Sequence, residues 1–475
     1  MNGFSKLTLA SFFLVSVTSV YAGTAPSTPP PIQYYSDQAT GDQLYAAQGN
    51  MQQGSYEAAI AAYQALANQN QKLAEYQLGF CFLNGLGTDK DNDVAVAWYM
   101  KAAEQNLPEA LYALGIMFYL GEGLPQAPDQ ALPLFQQAAK SDLASAYYML
   151  GVMNETGFGT TENMSVALDN YTKAAGKHMP QAEYNLGLMY YTGKGGVEKD
   201  VPKALALFTD AAQQKLSKAQ YMVGLIAFES SQSIPSNLSS SLAWFSLAAA
   251  QGLPEAQYNL GVMSYNGIGT NANPNAALEL IDKAANQNFP PALYFKGYQS
   301  EHGSGAFKDP NQAFIYYSEA AEQGNALAEF EMGLAYQHSI GTAADPTKSF
   351  AWYSLAAKQG LPKAQYMLGQ FFQKGWGMLA DKPTAALWYT QAANQGLSDA
   401  QLALGTMMAK GDGLPVDLKN AYLWLSLASN STNAKVKEPA TQLRNSIAAR
   451  LQPNDIHEAD MQAQAIASRY KMSSL

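Results

Sequence analysis

The chain has 475 residues, more than one hydrophobic core usually serves, and 48% of them are apolar, so it is neither a disordered tail nor a single small domain. Charged residues make up only 14%, and 38 acids against 28 bases leave a net charge of −10, without the basic footprint of a nucleic-acid binder. Arginine, the usual bidentate reader of phosphate, occurs only as Arg444, Arg450 and Arg469, which makes nucleic acid and anionic membrane poor partners.

The N-terminus has the pattern of a secretory signal. Lys6 is its lone charge, the stretch from Leu7 to Val20 is apolar apart from Ser and Thr, and Val20-Tyr21-Ala22 supplies small residues for cleavage after Ala22. Residues 1–22 are therefore expected to direct export to the periplasm or beyond. The apolar stretch falls short of the roughly 20 residues of a spanning helix, so no transmembrane insertion is expected once it is removed. Residues 23–39 follow as a Pro-rich linker, stiffest over Thr24–Ile32. Residues 40–71 predict a short helix pair turning at Gly54-Ser55-Tyr56, similar to a tetratricopeptide unit. Cys81 is the only cysteine, so no disulfide forms within the chain.

From residue 72 a period takes over. Glycines stand at 79, 115, 151, 187, 224, 261, 297, 333, 369 and 405, spaced by 36 except for two steps of 37 around Gly224. A small pair keeps step from Ala102-Ala103 to Ala392-Ala393 and Ala428-Ser429, with a bulky residue four positions earlier, among them Trp98, Trp244, Trp388 and Trp424. Two columns in register over this length predict ten repeats covering residues 72–433. Each unit predicts two helices. In residues 254–288 Pro254 opens helix A, Gly267-x-Gly269 ends it, and Asn273-Pro274 caps and starts helix B; Asp309-Pro310 and Asp345-Pro346 repeat that device. Ten glycines inside helix A cost roughly 1 kcal/mol each. Close packing of the glycine against the alanine pair of helix B is the expected compensation, with the bulky residue filling the gap toward the next unit. Residues 434–475 break the period, and Pro453 divides them into two polar helices that would serve as a C-terminal cap.

The string Ala256-Gln257-Tyr258-Asn259-Leu260-Gly261-Val262-Met263 with Gly267-x-Gly269, and Trp388-Tyr389-x-x-Ala392-Ala393-x-x-Gly396, resemble the Sel1-like repeat family. The resemblance implies an all-α fold, a right-handed α/α superhelical solenoid akin to tetratricopeptide arrays. It also implies an adaptor or scaffold for other proteins; exported bacterial members are linked to invasion of host cells, virulence and envelope processes. A subgroup with paired cysteines in each repeat includes members called β-lactamases, and this chain lacks those cysteines. The fifth unit lacks the Gly-x-Gly, and the seventh has Lys296 where Leu is expected.

No constellation of catalytic or cofactor-binding residues emerges. Cys81 shares a column with Met117, Met153, Met189, Ile226, Met263 and Met407, which predicts a buried thiol and core methionines. His302 and His338 fall in equivalent positions of successive units, but without a third ligand they make a poor metal site. Asp89, Asp91 and Asp93 alternate like a calcium loop yet have Val94 where its glycine belongs, so a helix cap is expected. Ser468-Arg469-Tyr470-Lys471 matches the Ser-x-x-Lys of penicillin-interacting enzymes, without the accompanying motifs.

At about 100° per residue, positions −5, −1, +2 and +3 from the glycine share one side of helix A, and −2, +1 and +5 the other. Position −2 varies along the chain, and its members Met149, Asn185, Met222, Asn259, Phe295, Glu331 and Met367 are the candidate partner-binding surface. Exposed apolar rows usually meet something. The expected function is a non-enzymatic scaffold for one or more proteins. The alternatives are a peptidoglycan or glycan-binding module, for which Tyr119, Tyr191 and Tyr265 would be the stacking platform, and a β-lactamase-like cell-wall hydrolase.

Overall fold

The computed structural model describes residues 38–231, 237–303 and 308–473. The expected signal sequence over 1–22 and most of the expected linker over 23–39 lie outside the described residues. The described residues are all-helical, without a strand, and fall into two compact units that meet in sequence at Ala272 and Asn273.

The first unit runs through α1 (Gln38–Gln52), α2 (Tyr56–Ala67), α3 (Lys72–Asn84), α4 (Asn92–Glu104), α5 (Pro108–Leu120), α6 (Pro128–Lys140) and α7 (Ala144–Thr156). It continues with α8 (Met164–Ala175), α9 (Pro180–Thr192), α10 (Val201–Gln213), α11 (Ser217–Ser230), α12 (Asn237–Ala250) and α13 (Pro254–Asn266). The second comprises α14 (Pro274–Ala285), α15 (Pro290–His302), α16 (Pro310–Glu322), α17 (Ala326–His338), α18 (Pro346–Lys358) and α19 (Pro362–Lys374). It ends with α20 (Lys382–Asn394), α21 (Ser398–Lys410), α22 (Leu418–Ala428), α23 (Ala434–Ala448) and α24 (Pro453–Ser473). Within each unit consecutive helices pack as antiparallel pairs, and each pair stacks on the next.

Local chemistry sets the helix ends. Asp309 accepts a hydrogen bond from the Gln312 amide at 3.0 Å and Asp345 one from Lys348 at 3.0 Å, each with proline in the first helical turn. Asp91 does the same for α4, accepting from Val94 at 3.0 Å, so the middle one of the three alternating acids caps the helix. Except in α11, which ends on Ser231 at φ −66°, helix A ends on a left-handed residue. In α7 this is Gly157 at φ +70°, while in α17 Ser339 adopts φ +58° without being glycine.

The glycine column does not face the alanine pairs. The first alanine of each pair is fully buried, but what lies against the glycine is the side chain three positions before it, an aromatic ring in eight repeats and Leu425 at Gly405. A Cβ on Gly79 would stand 2.7 Å from Tyr99, one on Gly151 2.6 Å from Tyr171, and one on Gly369 2.5 Å from Tyr389. Alanine allows helix B to approach, and the aromatic ring then occupies the space that the missing side chain leaves. The same ring meets a tyrosine three residues before the glycine, as in Tyr148–Tyr171 at 5.9 Å between centroids and Tyr366–Tyr389 at 5.6 Å. The bulky residue one position earlier points the other way from expectation. Trp98 packs on the cluster of α1 to α3 and Trp388 on that of α18 and α19, so both reach back to the preceding pair rather than forward.

Successive pairs are joined by the second glycine of the Gly-x-Gly loop. A Cβ on Gly159 would lie 2.6 Å from the Pro128 carbonyl oxygen, one on Gly123 2.9 Å from that of Asn92, and one on Gly341 2.5 Å from that of Pro310. Each loop thus rests on the first turn of the preceding helix B. Lys296, where leucine is expected, is accommodated by an ion pair to Asp282 at 2.6 Å. After the last repeat α23 and α24 pack on α22, and the Tyr470 hydroxyl donates to the Ala393 carbonyl at 2.7 Å.

Candidate partner-binding face

Helix A buries the side that carries the alanine five before the glycine and the methionine column two after it. Ala146, Leu150 and Met153 show this in α7, and Ala400, Leu404 and Met407 in α21. Cys81 belongs to the same column. It is fully buried, its Sγ lies 3.9 Å from the Met51 sulfur, and burial pushes the thiol up to about 12, so it packs as a small hydrophobe rather than reacting as a thiolate.

The −2 column is not the open row that its sequence variation suggests. Met149, Met222, Asn259 and Phe295 are buried at 0, 4, 6 and 5% exposure, and Asn185, Glu331 and Met367 are half-buried. Helical geometry gives the reason. Position −2 stands about 160° round from the glycine, only about 40–60° from the core positions +2 and −5. It therefore falls on the flank where the neighbouring helix A lies. The Asn259 amide donates to the Tyr221 hydroxyl at 3.1 Å, linking position −2 of α13 to position −3 of α11.

The centre of the outward face, at about 100°, is position +1. In the first unit that column holds Ile116, Leu188 and Val262, half-buried, alternating with Phe80, Val152 and Leu225, which are buried, and in the second Tyr298, Leu334, Gln370 and Thr406, all half-buried. Helical spacing alone puts +1 on this face; variation along the chain favours −2 within it and misleads. The signal that finds +1 is its place opposite the middle of the arc taken up by positions +2, −5, −1 and the glycine.

The tyrosines expected to make a glycan platform do not form one. Tyr119 and Tyr191 are buried, at 5 and 8% exposure, and Tyr265 is half-buried. Tyr119 meets Phe158 edge-on at 5.0 Å, and Tyr191 lies against Phe208 at 6.4 Å. Position +4 serves instead to match the ring of helix B. In four of the five repeats where that ring is tyrosine, its hydroxyl donates to a polar +4 side chain: Tyr171 to Glu155 at 2.6 Å, Tyr317 to Glu301 at 2.8 Å, Tyr353 to Gln337 at 2.7 Å and Tyr389 to Gln373 at 2.9 Å; the exception is Tyr99, whose repeat has Leu83 at +4. Where the ring is Phe135, Phe208 or Phe245, position +4 is Tyr119, Tyr191 or Phe228. This pairing at a fixed separation is a sequence signal that the two repeat columns do not include.

One group of side chains on α15 to α19 of the second unit is electrostatically distinct. Glu331 on α17 is pushed up to about 7, first by burial and then by Glu301 on α15, with Lys363 on α19 opposing. Tyr317 on α16 binds Glu301, and burial together with Glu331 raises Tyr353 on α18. His302 Nδ1 lies 3.9 Å from Glu301 and 3.0 Å from the Tyr298 carbonyl, its ring stacked on that of Tyr298. Between the ordinary carboxyl value of 4.5 and about 7 the folded chain keeps a Glu331 proton that the unfolded chain has released, so stability falls as pH rises through this window. Glu331→Gln should therefore raise stability by about 1–2 kcal/mol at alkaline pH and leave it nearly unchanged near pH 4.5, as read by urea melts at both ends.

Among the described residues no group of three or more His, Cys, Asp or Glu side chains gathers as a metal site, and no helix is long and apolar enough to cross a membrane. The Ser468 hydroxyl donates to the Gln464 carbonyl at 2.9 Å on an exposed helix.

The Sel1 repeat family matches ten segments: residues 72–107, 108–143, 144–177, 180–216, 217–253, 254–289, 290–325, 326–361, 362–397 and 398–433. No curated protein sequence matches the chain. Among solved structures it is similar to a protective antigen present in uropathogenic Escherichia coli strains that displays an SLR fold, with 28% identity, 92% of this chain and 93% of that one covered, and a TM-score of 0.66. A Sel1 repeat protein from Oxalobacter formigenes is 29% identical over 73% of this chain and 91% of its own, with a TM-score of 0.39. With ten consecutive matches that fall on the helix pairs from α3 to α22, the chain belongs to the Sel1 repeat family.

Proposed function

We propose that this protein is a non-catalytic scaffold that binds other proteins along the outward face of its A helices, and that it works outside the cytoplasm. The observation that carries the reading is the +1 column. Core packing uses positions −5, −1, 0 and +2, and although Phe80, Val152 and Leu225 of the +1 column are covered as well, Ile116, Leu188, Val262, Tyr298 and Leu334 remain apolar and half-buried on the other side. A face that only met water would have no need of such a row. The secretory pattern of residues 1–22 supports export, and the likeness to a protective antigen supports a place at or beyond the bacterial envelope and a part in virulence.

Photo-crosslinking in cells tests the interaction. A photoreactive side chain at Leu188 or Tyr298 should give a discrete protein adduct, and one at the exposed Glu319 on the B side should not. Equal labelling from all positions, or none from the A face, would overturn the reading. Fractionation with N-terminal sequencing tests export: a mature chain beginning at Gly23 in the periplasm or medium is expected, and a full-length chain confined to the cytoplasm would refute it.

A further inference from the structure

We propose that Glu75, Glu183 and Glu329 are proton-dependent links between successive helix pairs. Protonated, each carboxyl donates a hydrogen bond to a main-chain carbonyl of the preceding helix B, that of Ala67 in α2, Ala175 in α8 and Ala321 in α16. Ionised, it leaves the joint open, so three joints of the array are tighter in mildly acid medium than in neutral medium.

The glutamines that hold the same position in other repeats show the bond. Position −4 from the glycine of helix A is Gln220, Gln257, Gln365 or Gln401, each buried. The amide nitrogen donates backward to the second alanine of the preceding helix B: to Ala212 at 3.2 Å, Ala249 at 3.4 Å, Ala357 at 3.4 Å and Ala393 at 3.3 Å. The amide oxygen accepts from a glutamine just past the helix B that follows, Gln251 onto Gln220 and Gln395 onto Gln365, both at 2.8 Å. Glu75, Glu183 and Glu329 stand at this position with 2, 2 and 3% exposure. Each keeps the forward bond through Oε2, from Gln105 at 2.7 Å, Gln214 at 2.9 Å and Gln359 at 2.8 Å. By the equivalence of the repeats Oε1 takes the place of the amide nitrogen. The carbonyls of Ala67, Ala175 and Ala321 accept from the following turn, at Asn70, His178 and Gly324, just as Ala212 does from Lys215, so they are set like those the glutamines reach. A carboxylate oxygen there is an acceptor facing an acceptor, and a proton taken from solvent turns it into a donor.

Burial raises all three carboxyls above their ordinary 4.5. At Glu329 it is opposed by the Gln359 bond, and the charged side chains that end α16 and α18, Glu322 and Lys358, are exposed. At Glu75 Gln105 and Lys101 oppose burial and Glu104 adds to it. At Glu183 Asp210 adds to burial, while His178, whose Nδ1 lies 3.7 Å from Oε1, and Gln214 oppose it. A carboxyl raised on folding contributes stability that is complete below its unfolded value and is lost as pH rises through its folded one.

Hydrogen exchange on the full chain tests this from about pH 4.5 to 8.5, with rates corrected for the intrinsic effect of pH and with Glu331→Gln throughout so that this neighbour does not titrate. Protection over residues 325–332 should fall about two- to tenfold as pH rises, the worth of one hydrogen bond. Protection over 361–368, where Gln365 closes the joint, should stay constant. Adding Glu329→Gln installs the residue that other repeats carry. It should abolish the pH dependence over 325–332 and leave intact that over 71–78 and 179–186, at the Glu75 and Glu183 joints. Gln365→Glu should bring a dependence of the same sign to 361–368. Protection over 325–332 that ignores pH, that rises with pH, or that still falls after Glu329→Gln would each overturn the inference, as would constant protection over 361–368 in Gln365→Glu.

Discussion

Gly151→Ala should destabilise the α7–α8 pair by about 2–4 kcal/mol, although alanine is the better helix former by about 1 kcal/mol. The new methyl would stand 2.6 Å from both Cδ1 and Cε1 of Tyr171, well inside carbon–carbon contact. The ring has nowhere to go: it is fully buried, and its hydroxyl is tied to Glu155 at 2.6 Å. Either α8 moves away from α7 and opens a void, or the ring leaves its rotamer and breaks that bond. Native-state hydrogen exchange should show the loss concentrated in α7 and α8, because stability in a repeat array is local to each pair and its neighbours. Gly151→Ala combined with Tyr171→Leu should recover part of it, since a smaller side chain can share the space. A single variant as stable as the parent would mean that the glycine is not there to admit the ring.

Gly341→Val should cost more, about 3–5 kcal/mol, and should act between pairs rather than within one. Two penalties coincide at this position. The backbone stands at φ +67°, which a β-branched residue tolerates badly. Even a Cβ would lie 2.5 Å from the Pro310 carbonyl oxygen, which cannot rotate away as a side chain could. The loop must therefore lift off the start of α16. Limited proteolysis in residues 339–345 should accelerate by an order of magnitude or more, while the neighbouring Ser339→Gly, which relieves a left-handed residue at φ +58°, should slow it. Unchanged cleavage in Gly341→Val would show that the loop does not hold the two pairs together.

Features governed by chemistry within a few residues are legible in the sequence itself. Asn273, Asp309 and Asp345 cap their helices because an acceptor side chain followed by proline is a local instruction, read within one turn. The buried alanines and methionines are equally plain, since a column that stays apolar through the repeats has one environment. What the pattern does not supply is the rotation of one helix about its axis relative to the other. That angle decides whether Gly151 faces Ala174 or Tyr171, and only the packed ring settles it. The −2 column misleads for a related reason. Variation along Met149, Asn185 and Met222 suggests freedom to bind, whereas it reflects what each neighbouring helix A leaves room for. Asn259, which differs from most of its equivalents, is spent on Tyr221.

The joint between pairs has a consequence for how such a chain can change its length. Gly123 rests on Asn92, Gly159 on Pro128, Gly341 on Pro310 and Gly413 on Lys382, so that asparagine, proline and lysine offer the same main-chain surface. A coupling made of backbone does not depend on the identity of its neighbour. Whole repeats can be duplicated, lost or exchanged within a unit while every remaining junction still closes, provided the cut removes a full period.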